Sequence, residues 1–291
     1  MTHSKKKSVP VVSILNMKGG VGKTTITAHV FRLFYLHKKR STLLIDFDPQ
    51  FNLTQTVITQ SKYEKLKTNG STILNVMEPT MAPSIFTVCE ETTPPPLEKD
   101  ISVDLKYIID TEVKLSIVPG DFRMVKYSLI DNVTTLAPVK RRFLDFIEKS
   151  KENRGLICID CNPSSSFMTE CAIRASTHIL VPVKPDRYSL LGLDMLKEYI
   201  NNLPGLTIKP KLIVLLNGIP SSGYNSAIED SLRSHPDFGP ITMVNTLGIS
   251  KLLEATSDYT GFATDKKVAH RWRLTKRIRA IVDELAGHLG V

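Results

Sequence analysis

Val11-Val-Ser-Ile-Leu15 runs without a break into Asn16-Met17-Lys18-Gly19-Gly20-Val21-Gly22-Lys23-Thr24-Thr25, and the reading of this junction decides the fold. The short, mostly apolar run predicts a strand. Beyond the glycines, Ile26, Val30, Phe31, Leu33 and Phe34 recur at helical spacing, and Lys38, Lys39 and Arg40 stand where cations favour a helix C-terminus. A strand that turns through glycines into a helix gathers backbone N–H groups at the helix N-terminus, where they converge on phosphate oxygens. Lys23 then reaches the β- and γ-phosphates, and the Thr24 hydroxyl ligates Mg²⁺. Gly19, Gly20, Val21, Gly22, Lys23, Thr24 and Thr25 form the predicted cradle. Met17 holds the position of the first glycine in the G-x-x-x-x-G-K-[ST] spacing, and a second lysine, Lys18, follows it.

Outward from this unit, further apolar runs appear at Thr42 to Phe47, Lys114 to Val118, Leu156 to Asp160, Ile179 to Val183 and Leu212 to Leu216, with helix-like patterns between them. Runs that are apolar at nearly every position suit strands buried on both faces, and their alternation with helices implies a parallel sheet. The expected class is α/β, doubly wound, with a mostly parallel sheet and a helical, basic C-terminal part. Residues 9–291 are expected to form one domain behind a flexible basic tail, residues 1–8. Glu90 to Asp100, with Pro94-Pro95-Pro96, and Gly218 to Ser226 read as loops.

The whole chain has 291 residues and a formal net charge of +9, which favours polyanionic partners such as nucleic acid or an acidic membrane surface. Four cysteines are too few for a disulfide scaffold, and no apolar run has the length of a signal-peptide core or a membrane span, so a cytoplasmic location is expected. Cys158 and Cys161 have C-x-x-C spacing, but an odd separation along a strand sends the side chains to opposite faces, which argues against a metal or redox pair. Neither a histidine pair at helical metal spacing nor a G-x-S-x-G elbow occurs, which removes the zinc- and serine-hydrolase classes.

Lys18-Gly-Gly-Val-Gly-Lys-Thr-Thr25 resembles the deviant phosphate loop of the ParA/MinD group of P-loop ATPases. Three further blocks resemble that group in order: Leu43-Leu-Ile-Asp46-Phe-Asp48-Pro-Gln50-Phe-Asn52-Leu-Thr54, then Leu156-Ile-Cys-Ile-Asp160-Cys-Asn-Pro-Ser164, then Ile179-Leu-Val-Pro-Val-Lys-Pro-Asp186-Arg-Tyr-Ser-Leu-Leu-Gly192-Leu193. Asp48-Pro-Gln-Phe-Asn52 and Tyr188 to Leu193 lean towards the ParA/Soj partition branch. The resemblance spans Val11 to about Leu216, and Asn162 departs from it where proline is common.

The resemblance implies an ATP hydrolase dependent on Mg²⁺, slow alone and stimulated by a ParB-like or adaptor partner. It implies catalytic roles for Lys18, Lys23 and Asp46: Lys18 crosses to the partner's phosphates in an ATP-dependent homodimer, and Asp46 orders the attacking water. Asp160 suits the carboxylate that holds Mg²⁺ with Thr24, with Asp48 in support. Asn217 stands where related proteins contact adenine, though a polar strand-end cap explains it nearly as well.

Near the C-terminus, Lys266, Lys267, Arg271, Arg273, Lys276, Arg277 and Arg279 face a single acid, Asp265, while Val268, Trp272, Ile278, Val282, Leu285 and Leu289 recur at roughly helical spacing. The stripe is expected to pack and the cations to meet the backbone of nonspecific double-stranded DNA, giving a nucleoid-associated protein that segregates or positions cargo such as a plasmid or chromosome. The alternative is a MinD-like membrane-switching ATPase with a basic amphipathic terminal helix. Asp283, Glu284 and the glycines near the end weaken it. A metabolic or metal-cluster ATPase of the same loop family is the other rival.

Overall fold

In the computed structural model, residues 8–79, 84–89, 93–164, 166–220, 222–254, 261–269 and 271–291 are described. The expected tail up to residue 7, and positions 90–92 and 221 of the two expected loops, lie outside the described residues.

The opening unit is β1 (Val11–Ile14), the phosphate-loop candidate, α1 (Lys23–Lys38) and β2 (Thr42–Phe47). Short helices α2 (Asn52–Val57), α3 (Gln60–Thr68), α4 (Ile73–Met77) and α5 (Glu98–Ile101) lead to β3 (Val103–Tyr107) and β4 (Lys114–Val118). Then come α6 (Val133–Ser150), β5 (Leu156–Cys161), α7 (Phe167–Ala175), β6 (His178–Val183), α8 (Ser189–Asn202) and β7 (Lys211–Ile219). The chain closes with α9 (Ala227–Ser234), β8 (Leu247–Gly248) and α10 (Arg271–Leu289).

The sheet has eight strands in the order β3-β4-β2-β5-β1-β6-β7-β8. Every pairing is parallel except β3 with β4. β1 is therefore interior, with β5 on one side and β6 on the other, and the strand order reverses around it. Such a switch point opens a crevice at the carboxyl ends of the strands.

Alternate residues of each strand feed two cores. Val11, Leu43, Ile45, Ile157 and Ile159 face one layer, where α6, α7 and α8 supply Phe143, Phe146, Ile173 and Leu196. Val12, Ile14, Leu44 and Cys158 face the other, where α1 and α10 supply Phe31, Phe34, Ile278, Ile281 and Leu285. Cys161 packs in the first core and Cys158 in the second, so the C-x-x-C pair is divided by the sheet as expected.

Three local readings are corrected. β7 runs on to Ile219, past the point where a loop was expected from Gly218, and α5 places a helical turn in the expected loop up to Asp100. Trp272 and Val268 are also outside the apolar stripe. Val268 precedes α10, Trp272 is 63% exposed, and the buried face of the helix is Leu274, Ile278, Ile281, Val282, Leu285, Ala286 and Leu289.

Candidate functional site

Gly22 caps α1 at φ 89° and Gly20 stands at φ 70°, left-handed conformations that a side chain disfavours. A Cβ on Gly22 would also collide with the Asn217 amide. Two asparagines anchor the loop. Asn16 Nδ2 donates to the Pro182 carbonyl on β6 at 2.8 Å, and Asn16 Oδ1 accepts from the Lys18 backbone N–H at 2.8 Å. Asn217, near the end of β7, donates to the Val21 carbonyl at 2.7 Å. The loop is thus held by strands on its β6 and β7 side.

Lys23 opens α1 and folds back over the loop, its Nζ 3.4 Å from the Asn16 carbonyl and 3.3 Å from that of Lys18. Burial lowers its pKa, and Asp160 opposes the shift. These are long bonds for a buried ammonium, which leaves its hydrogen-bonding capacity poorly used. Gly19 and Gly20 have open space where a Cβ would stand.

Asp46 and Asp160 are register partners on β2 and β5. By strand alternation both face the α1 side, in line with Leu44 and Cys158. Asp160 accepts from Thr24 Oγ1 at 2.8 Å and from Thr27 Oγ1 at 2.9 Å. Thr24 and Thr27 lie one turn apart on α1, so the helix start is clamped to the sheet. Burial raises the Asp160 carboxyl to about 7, against the pull of those two hydrogen bonds.

Asp46 is fully buried. Its Oδ2 accepts from the Thr54 backbone N–H at 2.7 Å and from Thr54 Oγ1 at 2.6 Å, while its buried Oδ1 has no hydrogen-bond partner. Burial, then the neighbouring Asp160, raise its carboxyl to about 8. Asp48 accepts from the Gln50 N–H at 2.9 Å, and burial raises its pKa too. Three carboxyls and one amine therefore share a small volume in which charge is disfavoured.

Lys18 sits at the rim, with its side chain 45% exposed, and pairs with Asp186 between β6 and α8. Tyr188, just before α8, and Leu191 and Met195 on it follow at helical spacing, each more than half exposed. The cradle, Lys18, Asp46, Asp48, Asp160 and Asn217 thus gather at the carboxyl ends of β1, β2, β5 and β7. Thr27 and Thr54 were missed as site residues. Thr27's signal lay in its three-residue spacing from Thr24, and Thr54 stood within a quoted block.

The basic residues lie elsewhere. Arg271, Arg273, Lys276, Arg277 and Arg279 are exposed on α10, Lys267 is exposed before it and Lys266 half-buried. Arg273 lies over the exposed Trp272 ring at 5.4 Å. α10 packs along α1, and flanking ion pairs tie Asp283 to Lys38 at 2.5 Å and Asp265 to Arg32 at 3.1 Å.

A glycine-built anion cradle at the switch point of a parallel sheet, with a lysine and threonine opening the following helix and an acid closing the next strand, defines a P-loop nucleotide-binding protein. A family model described as AAA domain matches residues 9–214. The chain is 28% identical over 194 residues to the sporulation initiation inhibitor protein Soj of Bacillus subtilis, covering 64% of this chain and 62% of Soj. Among solved structures, a plasmid partition protein from Borrelia burgdorferi bound to AMPPNP superposes with TM-score 0.67 at 15% identity, over 97% of this chain and 100% of that one. The structure of pNOB8 ParA bound to nonspecific DNA superposes with TM-score 0.61 at 18% identity, over 96% of this chain and 99% of that one. The chain belongs to the ParA/MinD family of P-loop ATPases.

Proposed function

We propose that this protein is an Mg²⁺-dependent ATPase that dimerises with ATP, binds nonspecific double-stranded DNA as the dimer and segregates or positions cargo. Residues 9–291 act as one ATPase domain. Residues Gly19 to Thr25 hold the phosphates, Lys23 balances charge on the β- and γ-phosphates, and Asn217 offers its Oδ1 to the adenine amino group. Thr24, Asp160 and Asp48 present the hard oxygen donors that suit Mg²⁺. When bound, Mg²⁺ neutralises charge on the β- and γ-phosphates. Asp46 orders the attacking water through Oδ1, its buried atom without a partner.

Lys18 reaches the phosphates of a second copy. The exposed Tyr188, Leu191 and Met195 beside its present partner Asp186 offer that copy an apolar contact. Lys18→Ala is expected to bind ATP but to lose ATP-dependent dimerisation and hydrolysis. Size-exclusion chromatography showing an intact mutant dimer with ATP would remove this role.

One observation carries the DNA reading: α10 buries its apolar face against α1, the helix that begins at the phosphate loop, and turns its cations outward. Arg271, Arg273, Lys276, Arg277 and Arg279, with Lys266 and Lys267, then meet DNA phosphates. A membrane-inserting helix needs that apolar face free, which disfavours the MinD-like alternative. Among the described residues no helix is long and apolar enough to cross a membrane. With its cations on DNA the protein belongs to the nucleoid in the cytoplasm, and a ParB-like or adaptor protein stimulates hydrolysis.

Fluorescence anisotropy of a labelled random-sequence duplex, titrated with ATP and with ADP at two salt concentrations, tests the whole reading. Binding that needs ATP and weakens with salt is expected. Equal binding in both nucleotides would break the switch, and none in either would return the choice to anionic liposomes.

A further inference from the structure

We propose that Thr54 is a positioning residue that dictates which oxygen of Asp46 faces the attacking water. The inference rests on the reading of Asp46 given above and concerns a different side chain. Thr54 lies on α2, whose first residues follow directly from Phe51 in a left-handed turn at φ 40°. The Phe51 ring stacks on Tyr63 at 5.1 Å, and the Tyr63 hydroxyl donates to the Gly120 carbonyl at 3.2 Å. Gly120 is packed so closely that a Cβ there would stand 2.6 Å from Phe51 Cβ and 3.0 Å from the Asp46 carboxyl.

The polarity of the resulting hydrogen-bond chain is forced. The Gly120 N–H can only donate, and it points to Thr54 Oγ1 at 2.8 Å. An ionised carboxylate can only accept, so in the form that hydrolysis uses the single Thr54 hydroxyl proton goes to Asp46 Oδ2 at 2.6 Å. The Thr54 backbone N–H goes to the same oxygen at 2.7 Å. Two donors occupy both in-plane acceptor sites of Oδ2, so this oxygen can take no hydrogen bond from water. Oδ1, buried and without a partner, is the one that can. In hydrolysis the water oxygen forms the new bond to the γ-phosphorus as the bond to the bridging oxygen breaks. The bridging electron pair leaves with ADP, and the proton lost by water has Oδ1 as its acceptor. Thr54 touches neither water nor phosphate and acts by fixing the carboxylate's rotation.

Single-turnover and steady-state ATP hydrolysis are measured for Thr54→Ala and Thr54→Ser in the full chain, alone and combined with Asp46→Asn. Thr54→Ala is expected to lower kcat by about tenfold or more while KM for ATP stays within about twofold, because ground-state binding does not use Oδ1. Thr54→Ser, which keeps the hydroxyl and the backbone donor, is expected to remain within about threefold of the parent. In the Asp46→Asn background Thr54→Ala should have no further effect. Should Thr54→Ala fail to fold, Thr54→Cys keeps the volume with a poor donor and carries the same expectation. Parent-like kcat in Thr54→Ala, no rescue by serine, or additive losses with Asp46→Asn would each overturn the proposal. If Asp46→Asn itself turned over like the parent, the assignment of Asp46 would fall instead, a result separate from those three.

Discussion

The carboxylate centre and the α10 surface hold charge in opposite ways. At the centre, Asp46 and Asp160 are buried, and each accepted hydrogen bond comes from a named donor on α1 or α2. On α10, five arginines and lysines are exposed to solvent. A buried charge is worth what its partners make it worth, and removing one partner leaves a desolvated group behind. An exposed charge is screened and replaceable, and it acts by its number. Single substitutions should therefore be severe at the first region and graded at the second.

Lys23→Ala should show the largest effect, a fall of about a hundredfold or more in kcat/KM for ATP, since in the proposed role the lost cation faces the charge that develops in phosphoryl transfer. Its cost to stability without nucleotide should be small, because the long bonds to two loop carbonyls and the attraction of Asp160 and Asp48 that are lost are offset by relief from burying the ammonium. A drop in kcat/KM of less than about tenfold, measured by phosphate release, would make Lys23 a loop residue rather than a phosphate ligand.

Between the two regions lies His29, buried on α1, whose Nδ1 accepts from the Ala263 N–H at 3.2 Å, ahead of α10. Burial, with help from Lys266, lowers its pKa from 6.5 to about 4, and Asp265 opposes the shift. The unfolded chain thus takes up this proton before the folded one does. The stability that neutral His29 contributes is complete above pH 6.5 and is lost as the pH falls towards 4. Urea unfolding should record a loss from this group of about 2 kcal/mol between pH 7 and pH 5 that His29→Gln lacks. Parallel pH profiles for the two proteins would mean that the ring is hydrated and that α1 and α10 are less firmly joined than their packing implies.

At the α10 surface each of Arg271→Ala, Arg273→Ala and Lys276→Ala should weaken DNA binding modestly and reduce the slope of log K against log salt by about 0.9. The slopes should add in the triple variant, since exposed, separate charges act independently. One residue that abolishes binding alone would turn the distributed surface into a specific pocket and break the contrast with the centre.

The same contrast explains how much the sequence disclosed. Strands β1, β2 and β4 to β7 are buried on both faces, so they read as apolar runs. β3 is an antiparallel edge strand, Val-Asp-Leu-Lys-Tyr, bulged and with no residue fully buried, and β8 has two residues, too few for any period to register. The cradle was legible because its glycines, lysine and threonine are local in the chain. The role proposed for Thr54 was not, because the bond to its hydroxyl oxygen comes from Gly120, 66 residues away. Trp272 was misassigned to the buried stripe because a rough helical period tolerates an early start. Once Leu274 and Ile278 set the phase, position 272 falls on the outer face.

The smallest effect should be on stability in Lys18→Ala, and it sharpens the comparison most. Lys18 belongs to the phosphate loop by sequence but to the surface by exposure, its side chain being 45% exposed and that of its partner Asp186 36%. A pair so open to solvent contributes under about 1 kcal/mol. Asp186 also keeps its bond from the Tyr188 N–H at 3.0 Å when the lysine is gone. Urea unfolding of Lys18→Ala should therefore match the parent within that margin, while the dimer that forms with ATP disappears. A loss of 2 kcal/mol or more would make the lysine part of the loop's own scaffold, and the missing dimer would then report a damaged cradle. A silent stability curve beside a lost dimer leaves the lysine's contribution where the free subunit does not spend it, at the phosphates of a second copy.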